Sequence, residues 1–367
     1  MSMADIDLKG QAGKLREKKT NGQDRFILSD PEWQSVQAYC AAVQALPITE
    51  AEIKLKFALT KNQKVSDFEP LRAQYESMYK QVQKWDLHTM PKSITLATHV
   101  DNYGRNAKIY YGEMLRLAEE GLSKGNNKKE FLEIVEDRAK KAKEFATEAK
   151  DVAKDIGEFE NGVKSSIDKM TSLKKTYDDK YGSSSQKWKD INDKIKKLQD
   201  DLKKANEEYE HDCIVAGTTP TYAWVTILGF IAAVTVASVY GKKAVEMKET
   251  IKQIEKEIGD AEGDLTAYSH IQASTKCAAD SITSVQTKAG TAAQALGRMR
   301  SGWEKIATSL DDIAKLVDKD IRQAESLVKL QVKQAIADWE AVAKDANGYI
   351  QNAYIKKPSP VELMMAA

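Results

Sequence analysis

Between Cys213 and Gly241 the chain runs for 29 residues without a charge, although 30% of all its residues are Asp, Glu, Lys or Arg. Charge stops at Glu210 and Asp212 and returns at Lys242 and Lys243. The part from Thr221 to Tyr240, TYAWVTILGFIAAVTVASVY, is 20 residues long. As a helix it would measure about 30 Å, the thickness of bilayer hydrocarbon. Eight of these residues are Val, Ile, Leu or Phe, which favours insertion by about 2.5 to 5 kcal/mol before polar groups are counted. Any fold of this chain must either bury the run or deliver it to a membrane.

Pro220 divides the run, and Gly217 to Thr221 has the composition of a turn, so Gly217 and Pro220 are the candidate head turn. Ile214 and Val215 lie before it. Tyr222, Trp224, Val225, Ile227, Leu228, Phe230, Ile231, Val234, Val236, Val239 and Tyr240 lie after it. These are the candidate membrane-inserting residues. Tyr222 and Trp224 at one end and Tyr240 at the other suit the two membrane interfaces. Gly229, Ala233, Ala237 and Gly241 recur every fourth residue, a face on which membrane helices can approach closely. The helix leading in, 199–212, is amphipathic, with Leu202, Ala205 and Tyr209 on one side and Lys203, Lys204, Glu207 and Glu210 mostly elsewhere. Charges in hydrocarbon cost about 2.5 to 3.5 kcal/mol each even on lenient scales. The first arm therefore either stays out of the bilayer or lines a water-filled pore built from several copies.

The flanks read as long helices. The seven prolines are Pro31, Pro47, Pro70, Pro91, Pro220, Pro358 and Pro360, leaving two arms of over 120 residues with none; an interior proline costs about 3 kcal/mol. Apolar residues in the first arm fall at alternating steps of three and four: Ala142, Phe145, Ala149, Val152, Ile156, Phe159, Val163, Ser166, Met170, Leu173 and Tyr177. The seam resumes after 182–185 at Trp188, Ile191, Ile195, Leu198 and Leu202. In the second arm it runs from Met247 through Ile271, Ala292, Leu296, Met299, Trp303, Ile306, Leu310 and Ile313 to Val317. Gly290, Gly297 and Gly302 predict a break near 290–302. A last helix is expected from about Asp318 to Tyr354, with Ile321, Leu327, Leu330, Ile336, Trp339 and Val342 on its apolar face. Earlier, Asp30 and Pro31 suit a helix start, and Thr49 with Glu52 forms a capping box. Ile94 to Leu122 forms a helix with Leu96, Val100, Tyr103, Ala107, Tyr110, Met114 and Leu117 on one face, closed by a turn at Gly121, Gly125 and Asn126.

The expected fold is all-α: an elongated antiparallel bundle of long helices with a hydrophobic head hairpin, the soluble head being either helical or a short β-tongue. The expected division is a polar N-terminal segment 1–28, a tail from 29–200 and 253–355, a head 201–252, and a flexible C-terminal tail 356–367.

A net charge of +1 gives no reason to expect a nucleic-acid partner. Cys40, Cys213 and Cys277 define neither a disulfide framework nor a metal spacing, and His88, His99, His211 and His270 have no ligand spacing. No P-loop, dinucleotide fingerprint or H-E-x-x-H motif is present. The chain is not expected to be an enzyme or to hold a metal or cofactor. The first twenty residues, MSMADIDLKGQAGKLREKKT, have no apolar h-region. The expectation is a protein that is soluble when made and leaves the cell without a recognisable signal peptide.

In layout the chain resembles the α-helical pore-forming toxins typified by cytolysin A. It is similar to the tripartite toxins of the haemolysin BL and non-haemolytic enterotoxin type. The resemblance covers nearly the whole chain and rests on a helical tail, two very long helices, and a hydrophobic head between them at Cys213 to Gly241. It implies a soluble monomer whose head opens, inserts into a target-cell membrane and assembles into a homo-oligomeric pore, with other toxin components as further partners. Two other readings fit the residues: a bitopic coiled-coil membrane protein, and a non-lytic helical scaffold that binds membranes.

Overall fold

The computed structural model describes residues 6–18, 24–28, 36, 40, 43–44, 46–56, 59, 64–181, 186, 189–190, 193 and 264–352. Strands β1 (Arg16–Lys18) and β2 (Asp24–Phe26) form an antiparallel ribbon in which Arg16 faces Phe26. The helices are α1 (Glu50–Lys56), α2 (Glu69–Lys84), α3 (Met90–Glu120), α4 (Asn127–Tyr181), α5 (Asp264–Lys319) and α6 (Ile321–Asn352). At 55 and 56 residues, α4 and α5 each extend about 80 Å. The all-α class expected from the apolar period is what forms, with the short ribbon added.

Local chemistry sets the helix ends. At α1, Glu52 N donates to Thr49 Oγ1 (3.2 Å) and Thr49 N donates to Glu52 Oε2 (2.9 Å), the capping box predicted. Gly121 and Gly125 adopt φ of +101° and +50°, and Asn127 Nδ2 donates to the Gly121 carbonyl at 3.1 Å. This is the expected turn, in a conformation open mainly to glycine. A single residue, Asp320, separates α5 from α6. Its Oδ1 accepts from Gln323 N at 3.0 Å, so α6 starts there with an aspartate cap.

The chain divides into two compact units, one from 1–30, 88–157 and 291–353, the other from 31–87, 158–290 and 354–367. In the first unit α3, residues 127–157 of α4, residues 291–319 of α5, and α6 form an antiparallel bundle. Ser93 and Tyr349 share a hydrogen bond at 3.0 Å while Leu122 N donates to Glu325 Oε1 at 2.7 Å, so α3 and α6 run in opposite directions. Lys143 pairs with Asp311 (2.8 Å) and Lys128 with Asp318 (2.9 Å), which orients α4 against α5 in the same way. In the second unit, Trp85 meets Phe159 with centroids 4.7 Å apart, Lys84 pairs with Glu158 at 2.6 Å, and Arg72 Nη1 donates to the Ile48 carbonyl at 2.9 Å.

Four sequence expectations change. Helix α5 passes through 290–302 without a break. A Cβ on Gly302 would lie 2.9 Å from the Lys14 carbonyl oxygen, and one on Gly290 3.2 Å from Glu160 Oε1. At Gly302 the small residue admits a neighbouring backbone rather than ending the helix. Second, α3 begins at Met90, not Ile94. Pro91 sits in its first turn behind a π-helical turn, Trp85–Thr89, and at that position the missing N–H costs little. Third, Leu330 is 76% exposed; at 100° per residue it lies roughly 200° around α6 from Val328. The buried stripe instead runs Ala324, Leu327, Val328, Val332, Ala335, Trp339, Val342, Ala346. Fourth, Tyr111 rather than Tyr110 fills the core position of α3. The Asp30–Pro31 helix start and the seam from Trp188 to Leu202 lie outside the described residues.

Candidate functional site

The candidate membrane-inserting residues from Ile214 to Tyr240 lie outside the described residues. So do the turn at Gly217 and Pro220, the small-residue face Gly229, Ala233, Ala237 and Gly241, and Cys213 and His211. What the structure defines is the scaffold that carries them: α4 leads toward the run, and α5 leads away from it.

Where their side chains are described, the seams predicted for these helices follow the buried faces, with Phe145 and Leu173 half-buried. Along α4, Ala142, Ala149, Val152, Ile156, Phe159, Val163, Ser166 and Met170 are buried. Along α5, Ala292, Leu296, Met299, Trp303, Ile306, Leu310, Ile313 and Val317 are buried. The first unit closes its core from its own four helices, each giving one aromatic side chain to a central cluster. Tyr103 of α3 meets Trp339 of α6 at 4.6 Å and Trp303 of α5 at 5.4 Å; Phe145 of α4 meets Trp303 at 5.0 Å; Trp303 and Trp339 stack at 5.9 Å. Such pairs add about 0.5 to 1.5 kcal/mol beyond their buried area. The described core of this unit is thus built from its own four helices.

Charge lies around this core. Arg138 stacks over Tyr110 with its guanidinium carbon 3.8 Å from the ring centroid. His99 stacks on Phe145 at 4.5 Å, with Nδ1 2.9 Å from Glu148 Oε2. Burial pushes the Tyr103 hydroxyl well up and that of Tyr111 up to about 12. Hydrogen bonds from Arg116 and Lys141 hold the carboxyls of Glu113 and Glu144 below the usual carboxylate range, and in the second unit those from Arg72 and Lys80 do the same for Glu69 and Glu76. Cys40 is buried.

One structural feature escaped the sequence reading. The N-terminal segment is polar in composition, yet Ile6, Leu8, Leu15, Phe26, Ile27 and Leu28 are buried. It lies as a strap on the first unit. The Gln331 amide grips it from both sides, accepting from Leu8 N (2.7 Å) and donating to the Ile6 carbonyl (3.2 Å). Arg16 pairs with Asp345 at 2.7 Å, and the Tyr111 hydroxyl donates to Gln11 Oε1 at 2.7 Å. The available signal was the mere presence of Ile6, Leu8 and Leu15 within an otherwise charged segment.

Among the described residues, no group of three or more His, Cys, Asp or Glu side chains could hold a metal ion, and no helix is long and apolar enough to cross a membrane.

No family model matches the chain. It is 20% identical to the pesticidal crystal protein Cry6Ba of Bacillus thuringiensis over 90% of each chain. Its fold is similar to that of the HblL1 toxin component of Bacillus cereus: TM-score 0.64, 14% identity, covering 96% of this chain and 99% of that one. It is also similar to the SmhB pore of the tripartite α-pore-forming toxin Smh from Serratia marcescens: TM-score 0.52, 13% identity, covering 96% and 99%. The chain shares its fold with these toxin components.

Proposed function

We propose that this chain is a secreted component of an α-helical pore-forming toxin, soluble when made and inserted in a target-cell membrane when active. The observation that carries the reading is the 29-residue uncharged run, which follows one helix of about 80 Å and precedes another, in a chain whose fold is similar to that of a toxin component over 96% of its length. Tyr222 to Tyr240 enter the bilayer, with Gly217 and Pro220 at the turn and Gly229, Ala233, Ala237 and Gly241 against a neighbouring helix. The amphipathic helix before the run requires an aqueous face if it crosses. That favours several copies in a ring, alone or together with other components as in the Smh system. The division into a head at 201–252 and a tail from the flanking helices belongs to this proposal, and no part of it calls for catalysis.

The test is Val234→Asp. A carboxylate at mid-run costs about 2.5 to 3.5 kcal/mol per copy in hydrocarbon and leaves the first unit's core untouched. Lysis of red cells should be lost while the circular dichroism and melting of the tail are unchanged. Undiminished lysis by this variant contradicts the reading.

A further inference from the structure

A cavity of about 270 Å³ opens between the N-terminal strap and α5. The strap contributes Asp7, Gln11 and Lys14, and α5 contributes Lys305, Ser309 and Asp312. The volume falls just under the roughly 300 Å³ at which drug-sized pockets begin, so any ligand is small.

Its hydrogen-bonding capacity is uneven. Each carboxylate is engaged through one oxygen: Asp7 Oδ1 accepts from Gly10 N at 2.8 Å, and Asp312 Oδ1 accepts from Lys315 Nζ at 3.0 Å. The Thr308 hydroxyl is turned back onto the Glu304 carbonyl at 2.9 Å. The other donors are less engaged. Gln11 is 2% exposed, and its Nε2 has no partner although its Oε1 is held by Tyr111. Leaving such a buried N–H unpaired is unfavourable, so a ligand that accepts from it is favoured. Neither Lys305 nor the Ser309 hydroxyl has a partner among the described residues, and Lys14 reaches Asp7 only at 3.9 Å. Two cations, Lys14 and Lys305, and two carboxylates, Asp7 and Asp312, line the cavity, and Lys315 pairs with Asp312.

A cavity with an unpaired buried amide N–H, flanked by the Lys305 ammonium and the Ser309 hydroxyl, suits an anion. Three separate donors, on two different elements, suit several oxygens around one centre, which a phosphate offers and a carboxylate does not. We propose that this cavity binds a small phosphorylated molecule, which bridges Gln11 of the strap to Lys305 and Ser309 of α5 and so pins the strap to the bundle. Free phosphate esters and the phosphate of a lipid headgroup share the required chemistry.

The test uses the full chain. Its melting is followed in increasing sodium phosphate, and separately glycerol phosphate, against sodium chloride of equal ionic strength. Binding to vesicles of phosphatidylcholine with and without phosphatidic acid is measured alongside. Wild type should show a saturable rise of about 2 to 5 °C in phosphate. Lys305→Gln, an exposed position, should melt like wild type in chloride and lack the rise, whereas Lys150→Gln on α4 should keep it. A Lys305-dependent shift with the free esters identifies a soluble ligand. Lys305-dependent binding confined to phosphatidic acid vesicles identifies a headgroup. A shift that does not saturate, one that persists in Lys305→Gln, or no Lys305-dependent response in any arm overturns the proposal. Because the reading rests on the strap and not on the run, Val234→Asp protein should show the same response.

Discussion

Gly104 of α3 faces the backbone of Trp339 in α6 so closely that a Cβ on the glycine would stand 2.5 Å from the Trp339 carbonyl oxygen and 2.8 Å from the Ala343 Cβ. The two helices meet here with only the Ala343 methyl between them, at the residue next to Tyr103 of the aromatic cluster. Gly104→Ala must therefore push backbone against backbone, at a cost of about 1 to 3 kcal/mol. Gly112, on the same helix, has nothing within 4 Å of the same atom. There alanine should stabilise by about 0.4 to 1 kcal/mol. Urea denaturation of the two variants checks this pair, and equal effects would contradict the close approach.

The strap makes a second prediction. Gln331→Leu leaves the Leu8 N–H and the Ile6 carbonyl without their amide partner. The loss should be about 1 to 3 kcal/mol, with faster amide exchange at Leu8 than in the core of α6. One residue away, Leu330→Lys should change stability by less than about 0.5 kcal/mol, since Leu330 faces outward. A large loss from Leu330→Lys would place the α6 stripe wrongly.

In alkali, Tyr111 sets the direction. Its folded pKa, pushed up to about 12 by burial, lies above the ordinary value of 10.0. The neutral hydroxyl is the form the fold prefers, so its stabilising effect is complete below pH 10.0 and is lost as pH rises toward 12. The urea midpoint should fall across that window. Tyr111→Phe should start lower, for want of the bond to Gln11, and fall less steeply. A parallel fall in both proteins would count against a buried Tyr111.

In acid the sign reverses. Glu69, Glu76, Glu113 and Glu144 have folded pKa values below the ordinary 4.5, because Arg72, Lys80, Arg116 and Lys141 donate hydrogen bonds to them. Their contribution is present above pH 4.5 and is lost as pH drops through the folded values. All four are at the surface, where water screens the pairs, so the slope should be shallow. Carboxyl titration by NMR should return Glu113 toward the ordinary range in Arg116→Gln and leave Glu144 where it was.

The long helices were legible because a three-four alternation fixes which side of a helix is buried, whatever it packs against. Val152, Ile156, Trp303 and Leu310 each fall where the period puts them. The turn at Gly121 and the capping box at Thr49 were legible because their chemistry is local. Gly302 was misread because a glycine that admits a neighbouring backbone and one that ends a helix look alike in sequence. The strap was missed for a related reason. Ile6 and Leu8 follow no period, and their partner Gln331 lies more than 320 residues away. The aromatic cluster sits in between: the seams supply its members, but only the register of four helices brings them together. At the candidate site the sequence carries the argument alone, through the absence of charge from Cys213 to Gly241.

The central claim is that a protein soluble without detergent opens membranes by inserting that run. The direct measurement is release of an encapsulated dye from liposomes by the purified, detergent-free chain, alone and with the proteins encoded beside it. The account predicts release by the soluble wild-type protein in at least one of these mixtures, and none from Val234→Asp. Protein that binds the liposomes and leaves their contents sealed in every mixture, or that stays in solution only with detergent, would contradict it.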